Sequence, residues 1–461
     1  MSQKISPPDK PLTDRIRPEH APFDVAEYER AGGYQALRRA LRTMAPQEVV
    51  ALVKDANLRG RGGAGFPTGV KWGLVPHGPD APKHKYLIAN GDEMEPGTFK
   101  DRLLLEGDPH QFIEAMIVAA YAIQADVGYL FLRGEYHLAA QRVQRAIEEA
   151  RGRGYLGRNI KGSGFDFELH LHTSAGRYIC GEETALISAL EGKRAVPRAK
   201  PPFPTVAGLF GRPTVVNNVE TLCNVPHIVN YGADWYRGLS RTENGGTKLY
   251  GVSGRVCHPG AWELPMGSSA REIIDEHAGG MRAGLRLRGF LPGGASTDFL
   301  TAAQLDVAMD YDAVAKAGSR MGTGTIIVLD DQTSVVAMVR NLEHFFAQES
   351  CGWCTPCRDG IPWAEKVLDD LVYGRGRPGD LELLEQQTRL LGPGRTFCAH
   401  APGAMEPLQS ALQHWRGDFE AGIAPAAAAP AIAGPATPEA PRPLSEVLET
   451  TPMGPVGEGG R

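Results

Sequence analysis

The sequence predicts an α/β domain built on a parallel sheet, then a small α+β module, then a C-terminal four-helix bundle. Three observations carry that prediction. Apolar runs of strand and helix period alternate between residues 45 and 246, the pattern of a parallel sheet covered by helices. From Thr247 the elements shorten, and two strand-like runs flank a helical one. After Asp331 the apolar residues recur with helical period only.

Residues 1–44 read as an N-terminal extension; Met1–Phe23 is polar, contains prolines and has no apolar targeting core. Ala45–Asn57 predicts a helix, with Pro46 in its first turn and Val49, Leu52 and Val53 on one face. A strand at Tyr86–Ala89, a helix at Gln111–Ile123, a strand at Tyr129–Arg133 and a helix at Leu138–Arg151 continue the alternation. Phe165–Thr173 alternates strictly and predicts a half-buried strand. Thr184-Ala185-Leu186 opens a further helix, and the Pro-rich stretch Pro197–Pro213 marks an ordered loop or a boundary. Within 247–331, Lys248–Val256 and Thr325–Leu329 predict strands and Ala270–Glu276 a helix. In 332–420, Val335, Val339, Leu342 and Phe346 share a helical face. Ala364, Val367, Leu368 and Leu371 share another, and Met405, Leu408, Leu412, Trp415 and Phe419 a third. Leu381–Leu391 completes the bundle. The Ala/Pro-rich stretch 421–461 has too few large apolar residues to fold and is expected to be disordered.

The 461 residues suffice for roughly two to four domains with real cores. A net charge of -5 offers no basic surface for nucleic acid or an anionic membrane. The longest apolar run, around Phe112–Ile123, is too short to span a bilayer and predicts a core helix, so no direct membrane insertion is expected. Seven cysteines, four of them in one motif, fit a reducing cytoplasm; Cys180, Cys223 and Cys257 read as buried thiols.

The chemistry concentrates in Cys351-Gly352-Trp353-Cys354-Thr355-Pro356-Cys357, with Cys398 following about forty residues later. Cys-x2-Cys-x2-Cys lets one tight turn aim three sulfurs at a common point, and a distant fourth closes the cage, as a cubane [4Fe-4S] cluster requires. Zinc more often takes two separated Cys-x2-Cys hairpins or histidine partners, and a disulfide needs an oxidising compartment.

Gly60-x-Gly62-x-x-Gly65 matches the dinucleotide fingerprint as a string, but a helix precedes it and Phe66-Pro67 interrupts the stretch after it. The loop is either a flexible surface turn or, with Arg61 and Lys71 beside it, a place where backbone approaches a flat or phosphorylated ligand. Asn90-Gly91-Asp92-Glu93-Met94-Glu95 follows a strand, where open sheets bind ligands. Its carboxylates either accept from sugar hydroxyls or ring amides, or start a helix and meet its dipole. Glu182-Glu183 carries the same two readings, and Asn217-Asn218 also reads as a plain turn.

Together these stretches resemble the NADH-binding flavoprotein subunit family of bacterial respiratory complex I. The resemblance covers Gly60–Trp72, Asn90–Arg102, Gly176–Ala189, Lys200–Pro204, Val216–Leu222, Glu349–Gly360 and Phe397–Ala404, in family order. It implies a Rossmann-like domain over 45–246 holding FMN non-covalently, a ubiquitin-like module over 247–331, and a bundle over 332–420 carrying one [4Fe-4S] cluster on Cys351, Cys354, Cys357 and Cys398. The implied FMN contacts are Gly60, Arg61, Gly62, Lys71, Asn90, Asp92, Glu93, Tyr178, Gly181, Glu182, Glu183, Asn217, Asn218 and Thr221. The implied NADH contacts are Phe66, Lys71, Glu95, Glu183 and Phe203, with Glu95 and Glu183 serving catalysis by orienting the nicotinamide.

The resemblance also implies complex I partners, in particular the E-type [2Fe-2S] subunit and the G-type multi-cluster subunit, with quinone reached only through them. The protein would be cytoplasmic, held at the cytoplasmic face of the inner membrane by those partners. The nearest rival is a diaphorase subunit of a soluble NAD-linked hydrogenase or formate dehydrogenase; a rival of another class is a zinc-stabilised scaffold without redox chemistry.

Overall fold

Asp24 starts the first helix with a capping box, its side chain accepting from Glu27 N while the Glu27 carboxylate accepts from Asp24 N. The structure, a computed structural model, describes residues 7–424 other than Pro18 and Pro79; from 425 the predicted disordered stretch lies outside the described residues. Helices α1 (Val25–Arg30), α2 (Gln35–Thr43), α3 (Pro46–Asp55) and α4 (Thr68–Gly73) lead into strand β1 (Tyr86–Gly91). Helices α5 (Asp101–Gly107) and α6 (Pro109–Ile123), strand β2 (Val127–Leu132), helix α7 (His137–Gly152) and strand β3 (Glu168–Thr173) follow. Then come α8 (Glu183–Leu190), α9 (Pro204–Ala207), β4 (Thr214–Asn218), α10 (Val219–Cys223), α11 (Val225–Tyr231) and α12 (Ala233–Gly238).

The four strands are parallel, in the order β3-β2-β1-β4. One face packs on α6, whose residues are buried except Tyr121. A helix apolar all round belongs in a core. The other face packs on α8 through Ile88, Phe131, Val216 and Leu186. Glu114 on α6 is buried and accepts from Tyr28 Oη at 2.7 Å, Tyr34 N at 2.8 Å and Leu37 N at 3.2 Å. The stretch from Tyr28 to Leu37 is therefore pinned to this core.

A second sheet has the order β6-β5-β9-β7-β8, from β5 (Thr247–Ser253), β6 (Gly260–Pro265), β7 (Leu287–Leu291), β8 (Leu300–Thr301) and β9 (Thr325–Asp330). β9 runs parallel to β5 and antiparallel to β7. Helix α13 (Tyr311–Lys316) precedes β9. The sheet packs between the core around Ile273 and Val314 and the core of the last four helices, which takes in Leu291 and Leu329. Those helices are α14 (Val335–Glu349), α15 (Thr355–Val372), α16 (Asp380–Leu390) and α17 (His400–Glu420).

The sequence differs from the structure in a few places. The strand expected from Phe165 begins at Glu168, because Phe167 bridges back to Gly157. The strand expected to reach Val256 stops at Ser253, where Gly254 turns with φ 104. The helix expected over Ala270–Glu276 is one π-helical turn, Glu272–His277. Cys180 and Cys223 are buried as expected, but Cys257 is exposed.

Candidate functional site

Strands β1 and β4 end at Gly91 and Asn218, and a cleft of about 270 Å³ lies at that edge, where open parallel sheets bind ligands. Its wall is completed by Gly62 and Gly63, by Gly293 and Ser296 after β7, by Arg320–Thr323 before β9, and by Cys398–His400. The glycine loop is held in place by its surroundings. Gly60 N donates to Phe66 O at 2.9 Å, Tyr311 Oη donates to Gly60 O at 2.6 Å, and Arg61 N donates to Thr221 Oγ1 at 2.8 Å. Gly65 has φ +64, and a Cβ there would stand 2.5 Å from the Tyr311 ring, so only glycine fits.

Asn90 Nδ2 donates to Gly181 O at 2.9 Å and its Oδ1 accepts from Asp92 N at 3.1 Å. Asp92 accepts from Ser174 Oγ at 2.7 Å through Oδ1, while its buried Oδ2 has no protein partner. Burial pushes the Asp92 carboxyl up to about 7. Asp92 lines the cleft, where a carboxyl suits a ligand with an N–H or O–H to give. Glu95 accepts from Tyr178 Oη and from Ser296 N, each at 2.6 Å. Hydrogen bonds to carboxylates of this kind contribute about 1.5–3 kcal/mol each. A Cβ on Gly294 would stand 2.6 Å from Glu95 Cγ, so the loop after β7 approaches this carboxylate as closely as glycine allows.

Glu93 receives the N–H groups of Lys100 and Asp101 at 2.9 Å and Tyr136 Oη at 3.0 Å, and so caps α5. Burial, and then Asp101, lifts it to about 7. Glu182 likewise accepts from Thr184 N and Ala185 N at the start of α8. Beneath the cleft, Arg61, Lys100 and Lys248 face Asp101 and Glu220, all buried. Lys100 Nζ stands 2.8 Å from both carboxylates, and Lys248 Nζ 3.1 Å from Glu220. Burial would raise Glu220, but Lys100 and Lys248 outweigh it and hold it down to about 2. Removing one partner from such a group costs about 3–5 kcal/mol.

The four motif cysteines, with Ser350, Trp353, Phe397 and His400, line a second, small cavity. Cys354 precedes the first residue of α15, Cys357 lies in its first turn, and Cys398 stands two residues before α17. Two helix N-termini thus face this cavity and favour negative charge in it. Burial, eased by Ser350, pushes the Cys357 thiol up to about 12; burial, eased by the His400 N–H, pushes Cys398 up to about 11. Thiols so placed become thiolates when metal charge arrives. Among the described residues no three His, Cys, Asp or Glu side chains converge on a single shared ion. Four thiols spread around one cavity suit a cluster in which each iron takes one thiolate.

Of the expected contacts, Gly62, Asn90, Asp92, Glu93, Glu95, Tyr178, Gly181, Glu182 and Asn218 line the cleft. Gly60, Arg61, Asn217 and Thr221 stand behind it. The Arg61 guanidinium turns inward to Gly245 O and Thr247 O, and Asn217 Oδ1 accepts from Trp72 Nε1. Lys71 and Lys200 both pair with Glu183, at 2.8 and 2.7 Å. Phe66 and Phe203 are exposed, at 50% and 56%. The sequence reading missed Lys100, Gly293, Ser296, Arg320, Thr323 and His400. Pro292-Gly293-Gly294 and Gly318-Ser319-Arg320-Met321-Gly322-Thr323-Gly324 are glycine-rich loops beside strands, and that signal was available.

A ligand cleft at a parallel sheet edge shares Cys398 and His400 with a four-thiol cavity. Residues 53–227 match the Nuo51 FMN-binding domain, and residues 337–422 match the NADH-ubiquinone oxidoreductase-F iron-sulfur binding region. The chain is 58% identical to the NADH-quinone oxidoreductase F subunit of Salmonella typhimurium, over 91% of this chain and 94% of that protein. The same identity and coverage hold for the F subunit of Escherichia coli. A crystal structure of NAD+-reducing [NiFe]-hydrogenase in the H2-reduced state is similar over 85% of this chain, with TM-score 0.76 and 35% identity. The chain spans only 65% of that hydrogenase chain.

The chain belongs to the family of NADH-quinone oxidoreductase F subunits. It is the NADH electron-input subunit of respiratory complex I, an oxidoreductase subunit with FMN and a [4Fe-4S] cluster as cofactors and other complex I subunits as partners. Among the described residues no helix is long and apolar enough to cross a membrane.

Proposed function

We propose that the cleft holds FMN and that NADH lies at its mouth, with electrons leaving through the four thiols. The observation that carries this reading is the shared wall: Cys398 and His400 border both cavities. Bound FMN supplies the conversion between a two-electron hydride and single electrons. The chain's own residues bind and orient. Asn90, Asp92 and Gly181 present polar atoms to the flavin, Gly62 gives it close backbone approach, and Asn218 closes the edge near Lys100. Gly60, Arg61, Asn217 and Thr221 support those contacts from behind, while Glu93 and Glu182 keep the helix starts in register. Glu95, fixed by Tyr178 and Ser296, orients the nicotinamide. Glu183 with Lys71 fixes the dinucleotide, and the exposed rings of Phe66 and Phe203 stack on its adenine. Cys351, Cys354, Cys357 and Cys398 ligate the cluster.

The domain reading is 1–44 as an N-terminal extension, 45–246 as the Rossmann-like part, 247–331 as a ubiquitin-like module and 332–420 as the cluster bundle. The hairpin β5–β6, with β9 parallel beside β5 in the middle of the sheet, supports the ubiquitin-like assignment. The immediate partners in this reading are the E-type [2Fe-2S] subunit and the G-type multi-cluster subunit, at the cytoplasmic face of the membrane. Coverage of 94% of a quinone-reducing relative against 65% of the hydrogenase chain favours this over a soluble diaphorase.

The test is Glu95→Gln. The KM for NADH should rise by about tenfold, the loss of one oriented hydrogen bond to the substrate, with flavin content held. Ferricyanide as acceptor isolates this step. Flavin loss at an unchanged KM would remove Glu95 from the substrate side.

A further inference from the structure

The wall between the two cavities is the turn Cys398-Ala399-His400 at the start of α17. His400 is 6% exposed, and its Nε2 lies 2.8 Å from the carbonyl oxygen of Phe346. A carbonyl only accepts, so Nε2 carries the proton and donates it. Phe346 sits in the last turn of α14, and Cys351 follows two residues after that helix ends. One side-chain hydrogen bond therefore ties the segment bearing Cys398 to the segment bearing Cys351. The backbone N–H of His400 also faces the Cys398 sulfur. The imidazole stands edge-on to Tyr178, centroids 5.5 Å apart at 63°, and to Phe346 at 5.8 Å and 87°. Tyr178 in turn holds Glu95 at 2.6 Å.

We propose that His400 is a positioning residue for the one-electron step, its bond to the Phe346 carbonyl holding Cys398 at the cleft and so setting the gap the electron crosses. The proposal rests on the flavin and cluster reading given above. The cluster held by Cys398 would take single electrons from the flavin held in the cleft, the flavin's protons leaving to solvent, and His400 would act on that transfer only by placing Cys398. Partners of metal ligands commonly carry this much influence, about 10–100-fold on affinity or activity.

The experiment uses the intact complex with His400→Leu and His400→Gln. Glutamine offers an amide N–H to the Phe346 carbonyl and leucine offers none. Two readouts are taken after mixing with NADH: the electron paramagnetic resonance spectrum of the reduced cluster, and freeze-quench rates of flavin reduction and cluster reduction. For His400→Leu the cluster signal should shift, and the ratio of cluster to flavin reduction rates should fall by about tenfold. His400→Gln should restore both towards wild type. Should His400→Leu not assemble, His400→Met carries the same readouts; if neither assembles and His400→Gln does with near-native spectrum and ratio, the requirement for the hydrogen bond stands. A leucine variant identical to wild type, a glutamine variant as impaired as leucine, or failure of all three to assemble overturns the proposal. A wild-type complex lacking flavin or a cluster signal would instead overturn the functional reading beneath it.

Discussion

At Glu93 one carboxylate caps α5 and also borders the cleft, and Glu182 does the same at α8. Sequence reading held both roles open for these residues, because an acidic residue at a helix start and an acidic residue facing a ligand look alike in one dimension. Glu183 differs, since its oxygens go to Lys71 and Lys200 rather than to a helix start. Burial raises Glu183, but the two lysines outweigh it and hold the carboxyl below its ordinary 4.5. A depressed acid contributes stability that is present above the unfolded value and lost as pH falls through the folded one. Glu183→Gln should therefore lower the melting temperature at neutral pH and converge with wild type as pH falls below 4.5. Thermal melts across that range measure it. A difference that persists undiminished into acid would mean the ion pairs are not its source. His400 had no such one-dimensional signal; its place on the cleft comes from chain segments distant in sequence.

Among elements, the long periodic ones were legible: α6, α7 and the four last helices stand within a few residues of where their apolar period put them. Period and length decide such segments, because burial of one face or of all faces is written in every turn. Strands β4, β6, β7 and β8 were not read, and Asn217-Asn218, which also read as a plain turn, ends β4. Gly260-Ala261-Trp262-Glu263-Leu264-Pro265 is bounded by residues that break strands, and β8 has two residues, so their pairing is set by neighbours across the sheet. The cysteine motif was legible because its spacing is local, and the structure puts Cys354 and Cys357 at the start of α15, where they line the small cavity and not the cleft. Cys354→Ala should accordingly abolish the cluster while FMN content and NADH–ferricyanide turnover stay near wild type. Iron and flavin analysis on the same preparation checks this. Loss of flavin together with iron from a folded protein would contradict the independence of the two sites.

Across the whole molecule, segments far apart in the chain build one cleft, among them the β1 and β4 ends, the glycine-rich loops around Gly293 and Gly322, and the start of α17. A Cβ on Gly293 would meet Met321 O at 2.1 Å, so those two loops touch backbone to backbone. The buried charges do similar work, with Lys248 of β5 reaching Glu220 of α10. The cleft's parallel sheet and the second sheet are thus joined by groups that cannot be left unpaired. In the proposed function, two-electron input and one-electron output meet across the wall of Cys398 and His400. Anaerobic isolation of the intact complex, followed by flavin, iron and sulfide analysis and paramagnetic resonance after adding NADH, tests it most directly. The account predicts FMN, a 4Fe-4S complement on this chain, and a cluster signal that appears on NADH addition and disappears with Cys398→Ala. A colourless chain, zinc in place of iron, or a signal indifferent to NADH would contradict it.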